Sequence, residues 1–428
     1  MQLYNLKDAS EEVSFSQAVK QGLGRKQGLF FPKSLPKLSD IDGLLAMPFQ
    51  KRSVNIMSAL IGDELGHDTV EMLVNNAFQF TAPLAHVTEN IYSLELFHGP
   101  TLAFKDFGAR FLAQCLSHLT PADEAITILT ATSGDTGAAV AQAFHGLANI
   151  NVVVLYPKGM VSPLQEKQFS TLGDNIYSVE IDAAFDDCQA MVKDAFDDQE
   201  IREDLHLNSA NSINIARLLA QVCYYFEAVA QLPVDKRKEA VFSVPSGNFG
   251  NLAAAMIAKT MGLPIKRFVA ATNSNDTVPR YLLSGLWEPK KTVSTMSNAM
   301  DISSPNNWPR IEAMFEAGYL DKSILTAETV DEDYTHMGVR QLNSLGYQSE
   351  PHAAVAYKAL KRSLTDDEVG IFLGTAHPAK FKETVENILG VPVALPKELA
   401  EIANKDVLSA RMPADFAQLK AYMFEKLA

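Results

Sequence analysis

Lys105 stands in an unusual setting for a lysine. It lies in LELFHGPTLAFKDFG, residues 94–108, after Leu102, Ala103 and Phe104 and before Asp106, Phe107 and Gly108. Apolar company disfavours the ammonium form and lowers its pKa. A neutral amine is a nucleophile that can form a Schiff base with an aldehyde. The alternative is a lysine whose stem packs while its head reaches solvent. Two glycine-bearing turns offer complementary chemistry. Ser133-Gly134-Asp135-Thr136-Gly137 follows ITILTAT, and Ser246-Gly247-Asn248-Phe249-Gly250 follows AVFSVP. Each opens a helical pattern. Such a turn presents free N–H groups at the positive end of a helix dipole, which is an anion site; the same turn is also common punctuation in parallel sheets. A third strand end, VGIFLG, runs into Thr375-Ala376-His377-Pro378, where His377 is either catalytic or a hydrogen-bonded structural histidine. An aldehyde-capturing lysine together with a phosphate cup describes a site for pyridoxal phosphate.

The elements that must position these residues alternate along the chain. Apolar runs of strand length occur at 125–132, 151–157, 176–181, 240–245, 267–273 and 369–377. Helical periodicity separates them at 108–119, 137–147, 162–173, 184–196, 214–232, 251–263, 352–364 and 379–389. This predicts an α/β fold with parallel sheets covered on both faces, and ligands at the strands' carboxyl ends. Residues 1–90 read as a separate N-terminal domain with helices near 51–62 and 67–78. Residues 91–428 read as a catalytic domain with a small lobe near 109–215, and the tail after residue 390 as two helices.

Composition narrows the function. The chain has 428 residues and a formal charge of −14, a poor balance for wrapping nucleic acid or an anionic membrane. No run approaches the roughly 18 apolar residues of a membrane span. Its three cysteines, Cys115, Cys188 and Cys223, are scattered, which suggests buried thiols rather than a disulfide framework. The N-terminal stretch lacks the apolar segment of a secretory signal, so a cytoplasmic protein is expected. The nine histidines offer no convincing metal-binding pair. No Walker A pattern occurs, and the strand after SGDTG ends Leu155-Tyr156-Pro157, without the carboxylate a dinucleotide site needs.

The set HGPTLAFKDFG, TATSGDTGAA, SINIARLLAQVCYYFEA, VPSGNFGN, NAMDISSPNNWPR and LGTAHPAKF resembles threonine synthase, a pyridoxal-phosphate family of fold type II. The resemblance runs from about residue 4 to about residue 390. It implies two α/β lobes with parallel sheets plus an N-terminal α+β domain. It implies that Lys105 bonds the cofactor aldehyde, that Ser246, Gly247, Asn248, Phe249 and Gly250 hold the cofactor phosphate, and that Thr375 meets the pyridine nitrogen. Ser133, Gly134 and Thr136 would receive the substrate carboxylate. Asp135 would lie near the cofactor's 3-oxygen, where a carboxylate is repulsive unless a proton is shared. The implied reaction turns O-phospho-L-homoserine and water into L-threonine and phosphate, with Lys105 shuttling protons. For the departing phosphate the cationic candidates are Lys158, Lys167, Arg217, Lys266 and Arg280, with Asn214 and Arg217 favoured as substrate-binding residues because they open a helix. The enzyme would be a monomer or homodimer. The competing readings are a dehydratase of the same fold type, which needs no second phosphate pocket, and a nucleotide-binding regulator.

Overall fold

The computed structural model describes residues 1–427. Three sheets organise the chain. An antiparallel sheet at the N-terminus orders its strands Asp8–Ser14, Gln2–Asn5 and Phe30–Pro32. A six-stranded sheet runs Leu325–Thr329, Arg267–Thr272, Ala240–Pro245, Val369–Gly374, Ile91–Glu95 and Leu84–Thr88. Its neighbours are parallel except the edge strand Leu84–Thr88, which forms a hairpin with Ile91–Glu95. That hairpin runs across residue 90. A five-stranded parallel sheet orders Ala410–Met412, Ile176–Ile181, Ile150–Pro157, Ile126–Ala131 and Leu207–Asn208.

Central strands such as Ala240–Pro245 and Val369–Gly374 are buried along their whole length. Helices cover both faces, so these strands carry unbroken apolar runs instead of alternating ones. One continuous core joins the N-terminal sheet to both larger sheets through Leu3, Phe30, Phe107, Ile128 and Phe242. The fully buried Arg310 ties the same regions by polar bonds. Its guanidinium donates to Phe30 O, to Ile213 O and to Asn307 Oδ1.

Three expectations change. The helix expected over 214–232 is two helices, Ile215–Ala220 and Val222–Gln231. At the break, Gln221 Nε2 donates to Arg217 O at 2.9 Å, occupying the carbonyl the helical ladder would use. The tail holds the two expected helices and an unexpected strand. It holds a short helix Lys397–Ala400, a strand Ala410–Met412 that extends the five-stranded sheet, and a helix Phe416–Leu427 whose Leu419 and Met423 pack with Cys188 and Ile201. The tail thus supplies the edge strand of the five-stranded sheet. Finally, LTAET at 325–329 is an edge strand that half-buried, polar residues concealed. The three cysteines are free and buried. Among the described residues no helix is long and apolar enough to cross a membrane, and no side-chain cluster could hold a metal ion.

Candidate active site

Lys105 is the first residue of helix Lys105–Leu119. The loop before it folds around its neighbour: Asp106 accepts from Thr101 N at 2.9 Å and from Thr101 Oγ1 at 2.6 Å. Leu102 is held at φ 57°, a conformation few side chains adopt without cost. The loop is then pinned to the third strand-end turn. Phe104 N donates to Thr375 O at 2.8 Å, His377 N donates to Leu102 O at 3.0 Å, and Ala103 bridges Ala376. Residues far apart in sequence are therefore backbone neighbours at the carboxyl end of adjacent parallel strands.

The Lys105 side chain is 15% exposed, and its ion-pair partner is Asp135 Oδ2 at 3.8 Å. Burial pushes its pKa down; Asp135 opposes that shift, while Lys380 and Arg217 add to it. Asp135 has two further partners. Lys380, absent from the sequence-derived set, places Nζ 2.8 Å from Asp135 Oδ1, and Gln165 Nε2 donates to the same oxygen at 2.8 Å. Burial pushes Asp135 up, yet Lys380 and Lys105 outweigh it and hold the carboxyl well below the ordinary range. Burial raises Asp106 to about 6 despite the two Thr101 hydrogen bonds.

The turn after Ala240–Pro245 supplies backbone donors. The amides of Gly247, Asn248, Phe249 and Gly250 have no protein acceptor among the described residues, and Phe249 sits at φ 61°. This curls successive N–H groups into one concavity at the start of helix Gly250–Thr260. A Cβ on Gly247 would lie 2.9 Å from Met300 Cα. That wall is held by His352, whose Nε2 accepts from Ala299 N while Nδ1 donates to the buried Glu350. In Ser246 the N–H goes to Ala271 O and the hydroxyl donates to Val244 O.

The turn after Ile126–Ala131 leaves the amides of Ser133, Asp135 and Thr136 free among the described residues. Thr132 Oγ1 accepts the N–H of Gly134 at 2.9 Å and that of Gly137 at 2.8 Å. Thr375 is a buried residue, and its hydroxyl makes no hydrogen bond to protein among the described residues. His377 resolves to the structural alternative: Nδ1 accepts from Ala379 N, capping the turn Pro378–Phe381, and burial lowers its pKa.

Of the cationic candidates, Arg217 alone faces Lys105. A missing side chain at Gly108 lets the Lys105 helix approach Arg217, where a Cβ would lie 2.9 Å from Arg217 O. Arg217 Nη1 donates to Ala210 O at 2.7 Å, its buried Nε has no partner, and burial lowers its pKa to about 10. Asn214 Oδ1 caps Ala216 N and its Nδ2 donates to Val19 O, bonds that tie its amide to the fold. Lys158 pairs with Asp182, Lys266 with Glu239 and Asp367, Arg280 with Asp276, and Lys167 binds the carbonyls of Ala403 and Lys405.

Sequence comparison agrees with this geometry. A family model described as pyridoxal-phosphate dependent enzyme matches residues 80–373, a threonine synthase N-terminus model matches 4–78, and a threonine synthase C-terminal model matches 353–423. The threonine synthase of Haemophilus influenzae is 62% identical over 425 residues, covering 99% of this chain and 100% of that protein. The threonine synthase of Escherichia coli K12 is 61% identical, covering 99% of each. Among solved structures, Escherichia coli threonine synthase superposes with a TM-score of 0.94 at 60% identity, covering 100% of both chains. Pyridoxal-phosphate-bound threonine synthase from Brucella melitensis superposes at 0.94 with 32% identity, covering 100% of this chain and 99% of that one. A maize serine racemase superposes at 0.56 with 17% identity over 75% of this chain and 96% of its own, sharing the fold alone. With matches running from end to end, and a lysine, amide cups and hydroxyl suited to its cofactor, the chain belongs to the threonine synthase family of pyridoxal-phosphate-dependent, fold type II lyases.

Proposed function

We propose that this chain converts O-phospho-L-homoserine and water into L-threonine and phosphate in the cytoplasm, as a monomer or homodimer. The observation that carries the reading is Lys105, a mostly buried amine 3.8 Å from Asp135, in a chain alike over its full length to threonine synthases. Bound pyridoxal phosphate supplies an aldehyde for capture of amines and a ring that spreads negative charge.

The residues fit that group. The free amides of Gly247, Asn248, Phe249 and Gly250 would hold its phosphate, the Thr375 hydroxyl would serve its ring nitrogen, and Lys105 would bond its aldehyde. The free amides of Ser133, Asp135 and Thr136 receive the substrate carboxylate at the start of helix Asp135–Phe144. With the substrate's amine on the cofactor, Lys105 would be a free amine. Its lowered pKa then lets it take the Cα proton as a base. The same amine moves protons at Cβ and Cγ, because one mobile group reaches successive carbons of a bound chain. Arg217, cationic and carrying a buried unpaired Nε, holds the departing phosphate.

The test is phosphate release and threonine formation from O-phospho-L-homoserine by wild type and Lys105→Ala. The expected result is equal amounts of both products, lost in the variant. A yellow wild-type protein without turnover would move the assignment to a dehydratase-like activity. A colourless protein that pyridoxal phosphate cannot reconstitute would overturn the reading.

A further inference from the structure

We propose that Lys380 is a positioning residue of the active site: by engaging Asp135 at close range it keeps that carboxylate from locking Lys105 into an ion pair, so that Lys105 is available as an amine. The inference rests on the reading of Lys105 as the aldehyde-bonding residue.

Lys380 has no exposed side-chain surface. A lysine buried so completely requires partners for its ammonium. It has two, Asp135 Oδ1 at 2.8 Å and Thr101 O at 2.6 Å. Asp135 is thus shared unequally. Lys380 and Gln165 crowd one oxygen at 2.8 Å each, and Lys105 faces the other at 3.8 Å. The short contact neutralises the carboxylate and leaves Lys105 the weak one.

The arrangement closes into a ring. Asp106, next to Lys105 in the chain, holds Thr101 by its N–H and hydroxyl. The Thr101 carbonyl holds Lys380 and also accepts from Gln168 Nε2 at 3.1 Å. Lys380 holds Asp135, and Asp135 faces Lys105. Lys380 lies on the turn Pro378–Phe381 that His377 caps. The turn follows the strand carrying Thr375, so the ring and the ring-nitrogen hydroxyl share one support.

The charged groups facing Lys105 are Asp135, Lys380, Arg217 and Glu350, and those facing Lys380 include Asp135, Asp106 and His377. Glu350 is already engaged by the amides of His352 and Ala353 and by the His352 ring. Asp135 is therefore the carboxylate whose grip on Lys105 depends on a single neighbouring cation.

The experiment is a pH titration of the visible absorbance of the cofactor-loaded enzyme, which reads the protonation of the Lys105 nitrogen without turnover. Wild type, Lys380→Met, Lys380→Arg and the double variant Asp135→Asn with Lys380→Met are compared. Lys380→Met is expected to raise the titration midpoint by a pH unit or more, roughly a tenfold change in proton affinity. Lys380→Arg keeps the charge and returns the midpoint to within about half a unit of wild type. The double variant, lacking both opposing charges, returns it likewise. If Lys380→Met loads no cofactor, the pH dependence of Lys105 acylation in the full chain, read by peptide mass spectrometry, supplies the same midpoint. An unchanged midpoint in Lys380→Met overturns the proposal, as does a raised midpoint that the double variant fails to reverse. Absence of the visible band from wild type would instead sink the underlying reading of Lys105.

Discussion

Two turns in this molecule are spelled almost alike, and they are built for different work. Gly247–Gly250 is a cup of amides with no protein acceptor among the described residues. Asn248 is spent on Asn306 and Ser212, and the Met300 backbone closes one wall. Ser133–Gly137 is braced from beneath by the Thr132 hydroxyl and carries a carboxylate matched by a buried lysine. The first suits a ligand that stays, an anion held by fixed dipoles. The second combines an anion seat with a charge that acts on Lys105. The residue at the third position decides between them: an amide that bonds structure in one, a carboxylate that bonds Lys380 in the other.

The comparison can be broken by substitution at the paired glycines. Gly247→Ala is expected to have the largest effect, weakening pyridoxal phosphate binding roughly 10- to 100-fold, since the new methyl meets Met300 backbone and overpacking costs about 1–3 kcal/mol. Absorbance titration of the cofactor-free protein measures this. Gly134→Ala places a side chain at φ 140° against Gln165. It should raise substrate KM about tenfold while cofactor affinity stays within about twofold. If Gly134→Ala lost the cofactor as Gly247→Ala does, the two turns would share a ligand and the contrast would fail.

A gentler change sharpens the difference. Thr132→Val removes the acceptor of two buried N–H groups, and urea unfolding should show a loss of about 1–3 kcal/mol. Its absorbance spectrum should match wild type. The smallest effect is expected far from both turns, at the opposite end of strand Val369–Gly374. There the Arg267 guanidinium, at 2.8 Å, holds the Glu368 carboxyl down to about 2. A lowered folded pKa contributes stability above the unfolded value of about 4.5 that is lost as pH falls towards 2. Glu368→Gln should therefore flatten the acid limb of the stability curve between those values and leave cofactor binding near neutrality unchanged.

Much of this was legible in the sequence because the signals are local. Strands buried on both faces announce themselves as apolar runs, a glycine turn opening a helix marks an anion site, and Lys105 is conspicuous among Leu102, Ala103 and Phe104. What stayed hidden is what depends on a distant partner. Lys380 in HPAKF has the local signature of a lysine packing its stem, and nothing nearby reveals Asp135 as its counter-ion. Ser246 turns its hydroxyl back to Val244 O. Asn214 donates from its amide to Val19 O. The strand Ala410–Met412 has no pattern of its own and is defined by pairing with Ile176–Ile181.

The strand Val369–Gly374 sits between Ala240–Pro245 and Ile91–Glu95, in the middle of its sheet. During synthesis from the N-terminus, the two flanking strands emerge from the ribosome first and must wait for the one that separates them. Lys105 is made early, yet the turn bearing Thr375 and Lys380 is among the late segments to arrive. A nascent chain halted before residue 369 therefore has its amine and the amides of Gly247–Gly250 but neither Thr375 nor the lysine that engages Asp135.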